Sequence, residues 1–343
     1  MIVLGIESTA HTFCVGIIDS KKKKVLFNEK VQFNEEEGMD LRKLTEFHVS
    51  NFDSVLKSAK QFLSYQLNMN FKDLDLISFS RGPGIGNSLK VGALVAKTLA
   101  KKYDLPIVGV NHIKAHLEIG KMYTGLKDPL FVYVSGVNSQ IITKDENGKY
   151  KIYGETEDIG VGNLLDSFAR IANIDFPGGP VIEKKAKEAE NYLELPYTVK
   201  GMNISLAGLY SHLKRSIDTC SVKDLNQRKY FKYEDRDKLI NDLSYSLQET
   251  VFAMLMEVAE RAMAYTKKSE LVIVGGVGAN ARLNEMAKKM CDDRGAKFKS
   301  FPLDLALDNG AMIAWEGYIQ NKKAKKSIDN LEPLPYINVE SEE

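Results

Sequence analysis

Two stretches of this 343-residue chain carry the same order of features. "IVLGIESTAHTFCVGIID", from Ile2, runs from an apolar strand through a turn of small hydroxyl residues into a second apolar strand. "LFVYVSGVNSQIITKDENGKYKIYGE", from Leu130, repeats that order as strand, Ser-Gly turn, strand, hairpin and strand. Short apolar runs bounded by turn residues read as buried strands. Each stretch opens one half of the sequence, and a chain of this length is expected to divide into two lobes. The repetition therefore implies two α/β halves on one plan.

A third glycine motif supports this. "LVIVGGVGANARL", residues 271–283, is a buried strand running into a glycine turn and then a helix. Without a Cβ, the turn lets the backbone approach a ligand closely. Two hairpin turns plus a strand–GG–helix element imply an α/β, two-lobed actin-like, sugar kinase and Hsp70 (ASKHA) fold, with its nucleotide cleft between the lobes. On this reading residues 1–130 form the first lobe, completed by a C-terminal helix at 308–321. Residues 131–307 form the second lobe, and 322–343 a charged C-terminal tail interrupted by Pro333 and Pro335. Residues 40–67 carry helical periodicity, and a glycine-rich loop at 82–86 separates a strand from another helix.

"GVNHIKAHLEIG", residues 109–120, follows the strand "PIVGVNH" and places His112 and His116 one helical turn apart. Side chains at i and i+4 share a helix face, the spacing by which a helix offers two imidazoles to one metal ion. By itself the pair reads more often as chance spacing or as two histidines that satisfy local hydrogen bonds.

Composition narrows the partners. The chain has 47 basic and 46 acidic residues, a net charge of +1, so no global field advertises nucleic-acid binding. Lys21–Lys24 and Lys322–Lys326 read as solvated surface. Cys14, Cys220 and Cys291 form no C-x-x-C pair, which fits a reducing, cytoplasmic setting. No apolar run reaches the length of a membrane span.

Eight motifs then occur in order: "GIESTAHT", "NHIKAH", "YVSGVNSQ", "GETEDIGVGNLLDSFAR", "FPGGPVIEK", "LPYTVKGM", "VGGVGANARL" and "LDNGAMIA". Over roughly residues 2–320 the chain resembles the universal tRNA threonylcarbamoyladenosine transferase family. That family includes bacterial TsaD, the catalytic subunit of archaeal and eukaryotic KEOPS, and proteins once labelled O-sialoglycoprotein endopeptidases. The resemblance implies one divalent ion, Fe(2+) or Zn(2+), held by His112, His116, Tyr133 and Asp308. Imidazole and oxygen ligands suit either metal. It also implies a substrate site of Tyr133, Val134, Ser135, Gly136 and Val137, with Asp166 and Glu183 on the ribose hydroxyls, Gly179 against the nucleoside, and Asn280 at the base or its phosphate. Local readings stand beside these: Asp166 pairing with Arg170, Gly179 serving a turn, Glu183 on a solvated helix.

The implied reaction moves the threonylcarbamoyl group from threonylcarbamoyl-AMP to N6 of adenosine 37 in the anticodon loop of tRNAs reading codons that begin with A. The implied partners are KEOPS subunits, a small kinase-like ATPase and a dimerising subunit, with a separate threonylcarbamoyl-AMP synthase and no membrane. No general base is legible.

Four departures from the family pattern stand out. Val137 replaces a glycine, Asn203 an aspartate, Ala207 a serine and Leu307 an arginine. They leave open a non-catalytic nucleotide-binding scaffold of the same fold. A sugar or acetate kinase of this architecture would need a carboxylate base and Mg²⁺ instead. No H-E-x-x-H motif supports a peptidase.

Overall fold

The structure, a computed structural model, describes residues 1–33, 40–175, 177–223, 230–300 and 302–341. It divides into two compact units, Met1–Gly125 with Asp304–Glu343, and Leu126–Leu303.

In the first unit β1 (Ile2–Glu7), β2 (Thr12–Asp19) and β3 (Lys24–Gln32) form an antiparallel meander. The helix α1 (Leu41–Leu67) follows, then β4 (Leu76–Gly82), α2 (Gly86–Tyr103), β5 (Ile107–Asn111) and α3 (His112–Thr124). Both β4 and β5 join in parallel, giving the order β3-β2-β1-β4-β5. Strands β1 and β5 are apolar throughout or nearly so because helices cover them, as parallel sheets require.

The second unit repeats the plan. The strands β6 (Leu130–Val134), β7 (Ser139–Lys144) and β8 (Tyr150–Glu155) form the meander. Next come α4 (Val161–Ala172), α5 (Gly178–Ala186), the small pair β9 (Val199–Lys200) and β10 (Asn203–Ile204), and α6 (Ala207–Asp218). A second small pair, β11 (Ser221–Lys223) and β12 (Tyr230–Lys232), precedes α7 (Arg236–Thr266), β13 (Glu270–Val274), α8 (Ala281–Asp293) and β14 (Lys297–Phe298). The sheet order β14-β13-β6-β7-β8 is the first sheet's order again, element for element. A one-turn helix, α9 (Leu303–Ala306), leads to α10 (Gly310–Ile319).

Helix α10 lies directly on the first sheet. A Cβ at Gly5 would overlap Ala314 N and Gly310 O, and one at Gly16 would overlap Ala311 N. Ser78 donates to Ile313 O at 2.8 Å, fixing the helix against β4. From β3, Asn28 Oδ1 accepts from Gly310 N and Ala311 N, so the first turn of α10 is capped by the sheet it rests on. Residues beyond α10 run over the same unit: Lys325 bridges Ile107, and Val339 is buried.

Along α1 the buried stripe is Leu44, His48, Val55, Ala59 and Leu63. The ring of His48 packs edge-on against Phe13 at 5.7 Å. Burial pushes its pKa down to about 4. Between that value and an unfolded value near 6.5 the unfolded chain binds the extra proton, so stability falls as pH falls through this window. From pH 7 to pH 5 the loss amounts to about 2 kcal/mol. His48→Leu removes this slope, measurable as the urea midpoint of both proteins at the two pH values.

Candidate functional site

The turn from β5 into α3 sets the histidines. Asn111, fully buried, caps α3 by accepting from Ile113 N at 2.9 Å and Lys114 N at 3.1 Å. His112 is the first helical residue and His116 lies one turn on. Their rings are 4.7 Å apart and nearly perpendicular. Asp308, just ahead of α10, meets them: its Oδ1 lies 3.2 Å from His116 Nε2 and 3.6 Å from His112 Nε2. The three ligand atoms fall within 4.8 Å of one another, a set that could hold a metal ion.

Behind them stands Glu7, at the end of β1 and fully buried. Its Oε2 lies 2.9 Å from His112 Nδ1, and its Oε1 accepts from Thr9 N. A carboxylate on Nδ1 fixes the ring and turns Nε2 toward the other ligands, the usual support of a metal-ligating imidazole. Burial opposes the charged imidazolium, yet Glu7 and then Asp308 outweigh it and hold the His112 pKa up to about 9. Burial, together with the charge of His112, lowers that of His116. Burial works against ionised Asp308, but the His116 hydrogen bond and both imidazoles hold its carboxyl well below the usual range. Two carboxylates thus face two imidazoles in one pocket, and a cation that took the Nε2 atoms as ligands would displace the proton that Glu7 and Asp308 hold on His112.

Sequence reading missed Glu7 as a supporting residue although "GIESTAHT" contains it. The signal was available: a carboxylate at the end of an otherwise apolar buried strand needs a partner.

In the second unit the turn after β6 is crowded by glycines from three motifs. A Cβ at Gly162 would stand 2.8 Å from Gly136 Cα, one at Gly160 would overlap Val137 O, and one at Gly275, where φ is +92°, would overlap Val134 O. The turn is closed by Ser135, whose N and Oγ both donate to Asn138 O at 2.9 Å. Ser135 O and Gly136 O accept from Gly162 N and Asn163 N at the start of α4. Tyr133 and Val134 are buried in β6. Val137 is 71% exposed and its φ is not in the left-handed region. The side chain that replaces the family glycine therefore points to solvent and forces no unusual backbone.

Asp166 Oδ1 accepts from Gly178 N at 3.0 Å, tying α4 to α5. Next to it Gly178 has no room for a Cβ against Ala169, whereas a Cβ at Gly179 would meet nothing within 4 Å. Glu183 is half-buried, accepts from Ala281 N at 3.3 Å, and lines a depression of about 340 Å³ with Tyr245, Gln248 and Arg282. Asn280 is engaged at both ends: Oδ1 caps α8, and Nδ2 donates to Gln248 Oε1 at 2.8 Å. Asn203, where the family pattern has aspartate, donates to Glu157 at 3.0 Å. A carboxylate there would face a carboxylate, so the substitution suits its neighbour.

Two sheets of identical 3-2-1-4-5 order define a protein of the actin-like, sugar kinase and Hsp70 fold class. Solved structures agree on fold: the 2-hydroxyisocaproyl-CoA dehydratase activator of Clostridium difficile aligns with a TM-score of 0.51 at 12% identity, over 94% of this chain and 97% of its own. HypF of Thermococcus kodakarensis aligns with a TM-score of 0.56 at 14% identity, over 92% of this chain and 48% of its own. The family model described as tRNA N6-adenosine threonylcarbamoyltransferase matches residues 28–315. Proteins of that name from Thermococcus sibiricus and Nanoarchaeum equitans are each 47% identical, over 92% and 93% of this chain and 91% and 93% of theirs. A probable bifunctional tRNA threonylcarbamoyladenosine biosynthesis protein of Methanocaldococcus jannaschii is 42% identical over 98% of this chain and 58% of its own length. The chain belongs to the tRNA N6-adenosine threonylcarbamoyltransferase family, and its activity is the transferase step of threonylcarbamoyladenosine biosynthesis. Among the described residues no helix is long and apolar enough to cross a membrane.

Proposed function

We propose that the chain carries the threonylcarbamoyl group from threonylcarbamoyl-AMP to N6 of adenosine 37 in tRNAs reading codons that begin with A. The observation that carries the assignment of residues is the convergence of His112, His116 and Asp308 with Glu7 behind them. Two imidazoles and a carboxylate fit Fe(2+) or Zn(2+), and the resemblance adds Tyr133 as the fourth ligand. Such an ion supplies a Lewis acid for the carbamoyl carbonyl or an anchor for the threonyl group.

The chain's own groups do the rest. Among the described residues the N–H groups of Gly136 and Val137 have no hydrogen-bond partner, and they suit the oxygen on which charge develops when the amine attacks. As the new C–N bond forms, the C–O bond to phosphate breaks, AMP leaves, and the amine loses its proton. Asp166 and Glu183 accept from the ribose hydroxyls, and Gly179 leaves the nucleoside room to lie against the backbone. The exocyclic amine is a weak nucleophile, so positioning carries much of the rate. The adenosine is presented by an anticodon loop, where a base is splayed out at low cost. KEOPS subunits, the small kinase-like ATPase and the dimerising subunit, dock that tRNA in a cytoplasmic complex, and a separate synthase supplies the adenylate. The free cysteines of the chain fit that compartment.

The test is nucleoside analysis of an A-codon-reading tRNA after incubation with threonylcarbamoyl-AMP, with and without those subunits. Threonylcarbamoyladenosine that appears supports the reading, and AMP bound without product under both conditions supports a scaffold instead. Gly179→Ala sharpens the site assignment. With nothing near its Cβ, the fold accepts the methyl group unchanged, while AMP affinity falls by at least about tenfold, 1.4 kcal/mol, by calorimetry. Unchanged affinity would return Gly179 to a simple turn.

A further inference from the structure

The metal helix is tied to the far C-terminal segment. Asn111, whose side-chain oxygen caps α3, uses its Nδ2 to donate to Asn338 O at 2.9 Å. Three residues on, Lys114 Nζ donates to Ser341 O at 2.8 Å. Asn338 closes a turn of its own, its Oδ1 accepting from Ser341 N at 2.8 Å and Ser341 Oγ at 2.9 Å. Between them Val339 is 1% exposed.

The same segment is stitched to the ends of the neighbouring strands. Arg81, near the end of β4, donates to Glu332 O at 2.8 Å and Asn330 O at 3.1 Å, while its own carbonyl accepts from Leu334 N at 2.7 Å. Gly84 N donates to Pro335 O at 3.1 Å. Gly82 passes so close to Leu334 O that no Cβ would fit there. Residues 325–341 therefore form a strap that starts beside β5, crosses the end of β4 and finishes on the first turn of α3.

We propose that this strap is a positioning element of the metal centre, with Asn111 as the joint. His112 immediately follows Asn111, so the joint controls where the first imidazole stands. Metal–ligand distances tolerate errors of only about 0.2 Å. Loosening the strap moves the first turn of α3 by more than that without unfolding a sheet whose core lies elsewhere. The inference rests on the reading of His112, His116 and Asp308 as metal ligands.

Two variants of the full protein test it. Asn111→Ser keeps a helix-capping oxygen but is too short to reach Asn338 as well. Ending the chain after Ile337 keeps the stitches to Arg81 and Gly84 and removes the contacts to α3 together with the buried Val339. The comparison with Asn111→Ser, which keeps Val339, separates the joint from that lost burial. Zn(2+) affinity is read by competition with a chromophoric chelator, and the metal-free thermal midpoint is read beside it. The expected result is a dissociation constant raised about tenfold or more in both variants, as loss of a supporting residue does. The metal-free midpoint should stay within a few degrees of the unaltered protein.

Affinity unchanged in both variants overturns the strap's role while leaving the metal site standing. Affinity that falls only in step with a large drop in the metal-free midpoint also overturns it, by showing that the segment merely stabilises the fold. Unaltered protein that takes up neither Zn(2+) nor Fe(2+) overturns the metal reading and this inference together.

Discussion

His116→Ala abolishes tight metal binding and lowers threonylcarbamoyl transfer by about 10³-fold. The magnitude follows from the several kcal/mol of charge stabilisation a bound Lewis acid contributes, about 4 kcal/mol for three decades of rate. His116 is almost fully buried and its Nε2 lies 3.2 Å from Asp308 Oδ1, so the variant also strips a carboxylate of its nearest partner. Removing one member of a buried pair is destabilising on its own account. Two readouts separate the effects: zinc content after dialysis, and the thermal midpoint of metal-free protein. Loss of metal and of transfer with a folded protein supports the proposed centre. Full transfer by a metal-free, folded His116→Ala protein would remove the metal from the reaction.

Gly16→Ala destabilises the first unit by about 3 kcal/mol or more, the upper end for overpacking a core. The methyl group would overlap Ala311 N and Gly310 C, which are main-chain atoms of α10 and cannot step aside as a side chain would. Gly310 has the mirror problem, its own Cβ overlapping Gly16 N. Lifting α10 off the sheet also moves Asp308, two residues ahead of the helix, away from His112 and His116. Urea unfolding and zinc affinity should therefore worsen together in this variant, in contrast to Asn111→Ser, where only the second changes. A midpoint within experimental error of the unaltered protein would mean that α10 can shift on the sheet at little cost.

Much of the fold was legible in residue order. The alternation of apolar runs and turn residues in β1–β2 and β6–β7–β8 announced the duplicated meander, because strand burial is written directly in local hydrophobicity. The His112–His116 spacing was equally local, since both residues sit on one helix and its period fixes their common face. The free φ and solvent exposure of Val137 could not be read that way. They depend on which side of a turn faces the packed start of α4.

The sequence by itself determined the repeated strand order, the helix carrying the two histidines, and the family to which the motifs belong. These follow from short-range pattern, where a few neighbouring residues settle the outcome. Only the tertiary structure decided that Glu7, 105 residues before His112, orients its ring, and gave the distance at which Asp308, already named by the motif match, meets His116, 192 residues before it. It alone showed that Gly5 and Gly16 let α10 touch the sheet, and that Asn338 O accepts from the residue that caps α3. Such contacts join segments with no sequence relation to one another. They are chosen by the shape of a packed core, in which a single methyl group or one hydrogen bond decides how near two backbones come.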